Sequence, residues 1–182
     1  MGKEEEIGIG DVYPQWVAKE FRSHETDASK LRETELITGL DMFSERAWLI
    51  HEVEFDLSEI EEEMYGITCG GVRHILYIAA GRAGLGNIGL HIPGVAAYKT
   101  LAAAGALLTE GSAALKSFGP LMWTPPGGLM PWAARKMSFY VQFHNDNAAL
   151  QNLLIVARVA FTVIKTTSKL WRELAERWHL VE

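Results

Sequence analysis

The sequence predicts an all-β protein: an antiparallel β-sandwich, with the single jelly roll as the common form at this length. Several segments alternate apolar and polar residues with a period of two, glycine and proline mark the turns, and the strand–helix–strand order of a parallel sheet is missing. The 182 residues, 48% of them hydrophobic, suffice for one domain with a substantial core. We expect an N-terminal arm or short helix over residues 1–33, the sandwich over 34–165 and a C-terminal helix within 166–182.

The clearest alternation lies in residues 45–57, ERAWLIHEVEFDL. One side of an extended chain would carry Leu49, His51, Val53, Phe55 and Leu57, and the other side would carry Ile50, Glu52, Glu54 and Asp56. A strand would bury the apolar residues of the first set against a core and leave the acids in water, whereas a helix would mix the two sets. The pattern therefore predicts a half-buried antiparallel strand with one wet face.

The first 33 residues are polar and of mixed charge, and they lack the apolar run of a signal peptide. A short helix over residues 14–22 would begin at Pro14 and place Trp16, Val17 and Phe21 near one face. A loosely held arm is the alternative. Residues 34–40, TELITGL, have the composition of a short strand that ends at Gly39.

Residues 72–80, VRHILYIAA, are apolar on both faces and predict a central strand. The following Gly84-Leu85-Gly86-Asn87-Ile88-Gly89 matches G-x-G-x-x-G, but Pro93-Gly94 interrupts the chain before the long helix of a dinucleotide site could form. We therefore predict a glycine-rich loop between strands. Residues 95–118 fit neither period, which leaves open a short helix or two strands of small residues.

Residues 125–128, two prolines and two glycines, predict a connection and exclude a central strand at that point. In the next strand, residues 137–144, the inward side would carry Met137, Phe139, Val141 and Phe143, and the outward side Ser138, Tyr140, Gln142 and His144. In the last strand, residues 153–164, one side would carry Ile155, Ala157, Val159, Phe161 and Val163. A helix from Lys169 to Trp178 would follow, capped by the Thr166-Thr167-Ser168 segment, with an apolar stripe of Leu170, Trp171, Leu174 and Trp178.

The chemistry-bearing residues assemble no familiar catalytic or metal-binding motif. The six histidines show no H-x-x-x-H spacing, and the single cysteine, Cys69, suits a buried apolar position better than a reactive thiol. The acidic run around residues 59–63 is typical of a solvated loop. We expect no enzyme activity, no cofactor and no metal site. The formal charge of −6, without a basic cluster, argues against direct nucleic-acid binding, and no uncharged run suits a transmembrane helix.

Three stretches carry a resemblance: TELITGLDMFSERAWLIHEVEFDL, TPPGGLMPWAARKMSFYVQFHNDNAAL and VARVAFTVIKTTSKLWRELAE. Their layout resembles that of the single jelly-roll coat proteins of tailless prokaryotic viruses. A threonine-glycine strand leads into a long strand, a proline-glycine corner precedes another strand, and an arginine-bearing last strand feeds a short helix. The chain departs from that layout in residues 95–118 and in its lack of a basic N-terminal arm.

This resemblance implies a structural virion protein that is made in the host cytoplasm and packs into a capsid shell. Its partners would be copies of itself and other capsid proteins, and contact with the genome would be left to another protein or to an internal viral membrane. Large apolar residues would form the interfaces. The candidates are Trp16, Phe21, Trp123, Met130, Trp132, Trp171 and Trp178. A carbohydrate-binding sandwich is the alternative, because tryptophan faces stack on sugars, and a nucleotide-dependent enzyme is a more remote one.

Overall fold

A computed structural model describes residues 13–40, 43, 45–59, 73–88, 95–104, 121–125 and 130–177. The strands are β1 (Gln15–Arg22), β2 (Arg32–Ile37), β3 (Arg46–Asp56), β4 (Arg73–Gly81), β5 (Val95–Ala104), β6 (Leu121–Trp123), β7 (Met130–Trp132), β8 (Lys136–Phe143) and β9 (Leu154–Lys165). A 3-10 turn, Ala148–Leu150, lies between β8 and β9, and the helix α1 (Ser168–Arg177) follows β9. The predicted C-terminal helix is therefore present.

The strands form two antiparallel sheets, as the sequence predicts. The first sheet has the order β1-β9-β3-β6, with β7 also paired to β3, and the second has the order β2-β8-β4-β5. One apolar core contains residues of both sheets. Phe139 of β8 joins them, because its ring meets Phe55 of β3 edge to face at 6.0 Å and stacks on Phe21 of β1 at 6.4 Å. The all-β antiparallel prediction is confirmed.

The two last strands follow their predicted alternation. Met137, Phe139, Val141 and Phe143 of β8 all face the core with exposures of 1% or less. In β9 the predicted core residues Ile155, Ala157, Val159 and Phe161 are buried and Val163 is half-buried, and Ala160 and Thr162 of the other side are buried as well. Because one face of each strand is fully committed to the core, a slip by one residue would place polar side chains inside.

The helix predicted over residues 14–22 is wrong. This segment forms the edge strand β1, antiparallel to β9, with Gln15 opposite Phe161 and Arg22 opposite Leu154. Trp16 and Val17 consequently lie on opposite faces, and Phe21 is 7% exposed in the core. Residues 15–22 are therefore a strand of the sandwich.

A β-bulge divides β3. Its register with β9 shifts between Ile50 and Glu52, so that His51 is an extra residue. Before the bulge Trp48 and Ile50 face the core, and after it Val53, Phe55 and Leu57 do so. The core side of the second half is confirmed, whereas the acids Glu52, Glu54 and Asp56, predicted to lie in water, are half-buried. The first half is wrong, because Ile50 is fully buried whereas Leu49 and His51 are only half-buried.

Strands β6 and β7 behave as one edge strand with an interruption. Both run antiparallel to β3, with Trp123 opposite Val53 and Met130 opposite Ile50. The bulge at His51 therefore lies between the part of β3 that pairs with β7 and the part that pairs with β6. The predicted proline-glycine connection, residues 125–128, falls between β6 and β7 in the sequence. Residues 126–129 lie outside the described part of the chain.

Strand β4 lies between β8 and β5, which confirms the predicted central strand. Strand β5 is antiparallel to β4 across the glycine-rich loop. A dinucleotide fold would require a helix and then a parallel strand at this point, so the G-x-G-x-x-G match is not part of such a unit. Of the two alternatives for residues 95–118, residues 95–104 adopt the strand. Residues 105–118 and Cys69 lie outside the described residues.

Candidate assembly surface

The strand registers bring several chain segments together at one end of the sandwich. Gln15 at the start of β1 lies opposite Phe161, Ile37 at the end of β2 lies opposite Lys136, and Arg46 lies opposite Lys165. The helix α1 follows β9 directly at this end. We call it the α1 end. The opposite, loop end carries the β1–β2 connection (residues 23–31) and the β8–β9 connection (residues 144–153).

Exposed apolar side chains are concentrated at the α1 end. Among the described residues, six large apolar side chains are exposed, and five of them belong to segments of this end. They are Tyr13 (66%), Trp16 (55%), Ile37 (77%), Phe43 (77%) and Leu170 (41%). The sixth, Met122 (54%), lies on β6 opposite Glu54. Large apolar groups gathered on one part of a surface indicate a contact site more strongly than scattered ones.

The two ends also differ in charge. At the α1 end, basic residues outnumber acidic ones among the described residues, although the whole chain carries −6. The basic residues are Arg46, Arg82, Arg135, Lys136, Lys165, Lys169, Arg172 and Arg177, and the acidic ones are Glu35, Glu45, Glu173 and Glu176. At the loop end the described acids Glu25, Asp27, Asp56, Glu59 and Asp146 outnumber the basic residues Arg22, Lys30, Arg32 and Arg73. An apolar, net basic end thus lies opposite a polar, net acidic one.

Of the predicted interface residues, Trp16 is the one that is clearly exposed. It lies on the outer face of the edge strand β1, opposite Ala160. Trp123 and Trp171 are half-buried and pack against the core. Trp178 lies outside the described residues. Trp16 is thus the predicted candidate that belongs to the exposed apolar set.

Three of the predicted interface residues are instead part of the chain's own core. Phe21, Met130 and Trp132 are 7%, 3% and 0% exposed, so the expectation that they are exposed is wrong. Phe21 points inward because residues 15–22 form a strand. Met130 and Trp132 point inward because β7 places them opposite Ile50 and Trp48, which are core residues of β3.

The sequence analysis missed Tyr13, Ile37 and Phe43 as exposed residues. A signal existed for Ile37, because Leu36 and Ile37 are adjacent in a strand and cannot both face the core. Leu170 belongs to the predicted stripe of α1, but Trp171 and Leu174 of that stripe are half-buried whereas Leu170 is exposed. The start of α1 is capped by Thr167, whose Oγ1 accepts the Leu170 N–H at 3.2 Å.

The loop end is held by hydrogen bonds between its two described connections. Ser23, 1% exposed, donates from Oγ to the Leu150 carbonyl at 2.8 Å and accepts the Leu153 N–H at 2.9 Å. The Asp146 carboxylate accepts the Ala28 N–H at 2.7 Å. Since these bonds satisfy buried groups of both connections, the loop end is a cross-linked polar cap.

A second polar cluster fixes the glycine-rich loop to the outer face of the second sheet. The Tyr140 hydroxyl lies 2.8 Å from Glu33 Oε1 and 2.6 Å from the Arg82 carbonyl oxygen, and it accepts the Leu85 N–H at 3.1 Å. The Gly84 N–H donates to Glu33 Oε1 at 2.9 Å. A phosphate-binding loop would offer such amides to its ligand. In this chain the Glu33 carboxylate accepts the Gly84 N–H, and the Tyr140 hydroxyl accepts the Leu85 N–H.

This environment changes the acidity of both side chains. Burial raises the pKa of Tyr140, and its hydrogen bond with Glu33 raises it further, so the phenol stays protonated well above its ordinary range. Burial also raises the pKa of Glu33, but hydrogen bonds to the carboxylate, including those from Gly84 and Tyr140, outweigh that effect. The net result is a lowered pKa for Glu33. The protonated form of Tyr140 and the ionised form of Glu33 are therefore favoured, and these are the forms that bind the loop.

The bulge in β3 carries a further pair of polar groups. His51 Nε2 lies 3.2 Å from Thr162 Oγ1 on β9, and Glu52 Oε1 is buried and has no hydrogen-bond partner among the described residues. Within the described part of the chain, no group of three or more His, Cys, Asp or Glu is arranged to hold a metal ion. The described helices also include none that is long and apolar enough to cross a membrane.

A scan against models of protein families gives no match for the chain, and a search of curated proteins gives none either.

Proposed function

We propose that this protein is a structural subunit of a viral capsid that associates with copies of itself through the α1 end. The observation that carries the proposal is the concentration of exposed apolar side chains at that end, beside a net basic charge. A water-exposed apolar cluster becomes favourable when a partner covers it, at about 25 cal/mol per Å² of apolar area buried. Symmetric association of identical copies is the commonest way to cover such a surface.

We further propose that the sandwich is a single jelly roll, and the strand pairing supports this. The first half of the chain pairs with the second half in nested order: β4 with β5, β3 with β6 and β7, β2 with β8, and β1 with β9. The remaining pairs, β3 with β9 and β4 with β8, complete the two sheets. Such nesting is what results when a long hairpin is rolled into two packed sheets, and viral coat domains are among the users of that architecture.

The fold alone does not decide the function, since jelly rolls also occur in lectins. The partners proposed are copies of the chain and other capsid proteins within the virion, after synthesis in the host cytoplasm. The basic residues of the α1 end could serve an acidic partner, such as a neighbouring copy or an anionic internal membrane. The net acidic remainder does not favour a nucleic-acid backbone.

The test is the assembly state of the purified full-length chain, measured by light scattering after size exclusion and by negative-stain microscopy. We expect concentration-dependent association into large regular particles. A chain that stays monomeric at every concentration, with or without its companion shell proteins, overturns the proposal. A monomer whose melting temperature rises with glycans supports the sugar-binding alternative, and one whose melting temperature rises with dinucleotides supports the nucleotide-dependent one.

Two matched variants locate the contact. The double substitution Trp16→Ser and Ile37→Ser removes two exposed apolar groups of the α1 end and should raise the protein concentration needed for assembly about tenfold or more, because each tenfold corresponds to about 1.4 kcal/mol. Met122→Ser removes a comparably exposed apolar group outside that end and should leave assembly unchanged. Equal effects of the two variants would mean that the α1 end is not the contact surface.

A further inference from the structure

The ring of His24 acts as a hydrogen-bond acceptor at the loop end. Its Nδ1 accepts the N–H of Asp27 at 3.1 Å and that of Thr26 at 3.3 Å. A ring nitrogen accepts a hydrogen bond only through a lone pair, so Nδ1 carries no proton in this arrangement. The ring is therefore neutral, with its proton on Nε2.

The turn that His24 stabilises positions the β1–β2 connection against the β8–β9 connection. The His24 carbonyl oxygen accepts the Asn152 N–H at 3.2 Å, and the Thr26 carbonyl oxygen accepts from Gln151 Nε2 at 3.1 Å. Directly after the turn, the Ala28 N–H reaches the Asp146 carboxylate. The contacts between the two connections thus lie immediately around the segment whose shape depends on His24.

We propose that His24 is a proton-operated latch that holds the two connections together when neutral and releases them when protonated. A proton taken from solvent by Nδ1 would convert this atom from an acceptor into a donor. The Thr26 and Asp27 amides would then lose their acceptor and face an N–H group at the same distance.

A protonated Nδ1 would itself need a hydrogen-bond acceptor, so the charged groups around His24 bear on the proposal. The nearest carboxylate in the turn, Asp27, is engaged by the Ser29 N–H at 3.1 Å, the Ser29 hydroxyl at 2.6 Å and Lys30 at 3.5 Å. Asp146 is engaged by Ala28 and Gln151. The other titratable or charged groups on the elements that meet here are Arg22, Glu25, Glu59 and His144. A protonated Nδ1 that took Asp27 or Asp146 as its acceptor would weaken the bonds that these carboxylates already make at the loop end.

The first experiment reads the protonation state and its effect on the full-length chain by NMR. Long-range ¹H–¹⁵N spectra should show the Nε2-protonated tautomer of His24 at about pH 8. The hydrogen-exchange protection of the Thr26 and Asp27 amides, corrected for intrinsic exchange, should fall roughly tenfold between about pH 8 and about pH 5, as expected for the loss of one or two hydrogen bonds. An Nδ1-protonated ring, or protection that does not change with pH, overturns the proposal.

Two variants separate the latch from general effects of acid. His24→Asn places an amide oxygen where Nδ1 lies, and this oxygen accepts hydrogen bonds at every pH, so protection of Thr26 and Asp27 should be retained and independent of pH. His144→Asn replaces the exposed histidine of the other connection and should keep the pH response of the parent chain. If the pH response disappears in His144→Asn and persists in His24→Asn, the response belongs to His144 and the proposal for His24 is wrong. The result does not depend on whether the chain assembles.

Discussion

The hydroxyl of Tyr140 lies 2.8 Å from the carboxylate of Glu33, on the face of the second sheet that points away from the core. Tyr140 is on β8 and Glu33 is on the neighbouring β2, and together they take the N–H groups of Leu85 and Gly84 in the glycine-rich loop. Tyr140 is 0% exposed because this loop covers it. The outward side of β8 is therefore not exposed to water at Tyr140, which belongs to a second, small apolar cluster.

Replacing Tyr140 tests the contribution of its hydroxyl. Tyr140→Phe keeps the ring in its cluster but leaves the Leu85 N–H and the Arg82 carbonyl without their partner, and we expect a loss of about 1–3 kcal/mol in the free energy of unfolding. Urea denaturation at neutral pH measures it. The matched control is Tyr77→Phe, a half-buried tyrosine packed on the same cluster. A loss equal to that of the control would show that the Tyr140 hydroxyl does not hold the loop.

The lowered pKa of Glu33 predicts a dependence of stability on pH. The pKa in the folded chain lies below the ordinary value of 4.5, so the unfolded chain binds this proton first as the pH falls. The stabilising contribution is complete above the ordinary pKa and is lost as the pH drops through the lowered one. Urea midpoints at several pH values, compared with those of Glu33→Gln, should show a steeper acid loss in the parent chain. Parallel curves for the two proteins would contradict the assignment.

Truncation of Trp132 should destabilise the fold far more than truncation of Trp16. Trp132 is fully buried, so Trp132→Ala opens a cavity and should cost about 3–5 kcal/mol of unfolding free energy. Trp16 is 55% exposed on an edge strand, and Trp16→Ala should change stability by about 0.5 kcal/mol or less. Thermal and urea unfolding of both variants checks this. A strongly destabilised Trp16→Ala chain would mean that Trp16 belongs to the core and not to a contact surface.

The bulge at His51 predicts which of two adjacent residues supports the core. Ile50→Ala should cost about 2–5 kcal/mol, because Ile50 is fully buried before the register shift. Leu49→Ala should cost about 1 kcal/mol, since this side chain is half-buried on the other face. The comparison needs only two urea titrations. The reverse ranking would favour an uninterrupted strand without the bulge.

Strands with a strict alternation could be predicted from the sequence alone. Phe139 and Phe143 on β8, and Val159 and Phe161 on β9, lie on the predicted core side, because a strand with one buried face repeats its apolar residues every two positions. The central position of β4 was also predictable, since both of its faces are apolar. Period and composition are local properties, and these elements depend on nothing more.

The remaining elements depend on the partner strand. In β1 the half-buried or buried positions are Val17, Lys19 and Phe21, and the lysine hides the alternation, so that the proline start suggested a helix. In β3 no residue type marks the extra position at His51. The bulge becomes visible only in the pairing with β9. A register shift is a property of two strands and cannot be found in one of them.

The candidate surface was predictable only in part, for the same reason. Trp16, Phe21 and Trp132 are all large and apolar, and composition does not separate them. Trp132 is buried because β7 sets it opposite Trp48, whereas Trp16 is exposed because it lies on the outer face of an edge strand. The gathering of Tyr13, Trp16 and Ile37 at one end follows from the order of strands in the two sheets, which periodicity does not reveal.

The pairing of β1 with β9 also determines when the sandwich can complete its fold. Gln15 finds its partner at Phe161, so the ladder between β1 and β9 closes only after the chain has been synthesised as far as β9. Ladders between such distant residues require large loops to close first, and folding should be slow for a chain of this length. Until β9 is made, the edges of β1 and β3 that pair with it remain open to incorrect partners, so newly made chains should depend on chaperones more than a helical protein of equal size would.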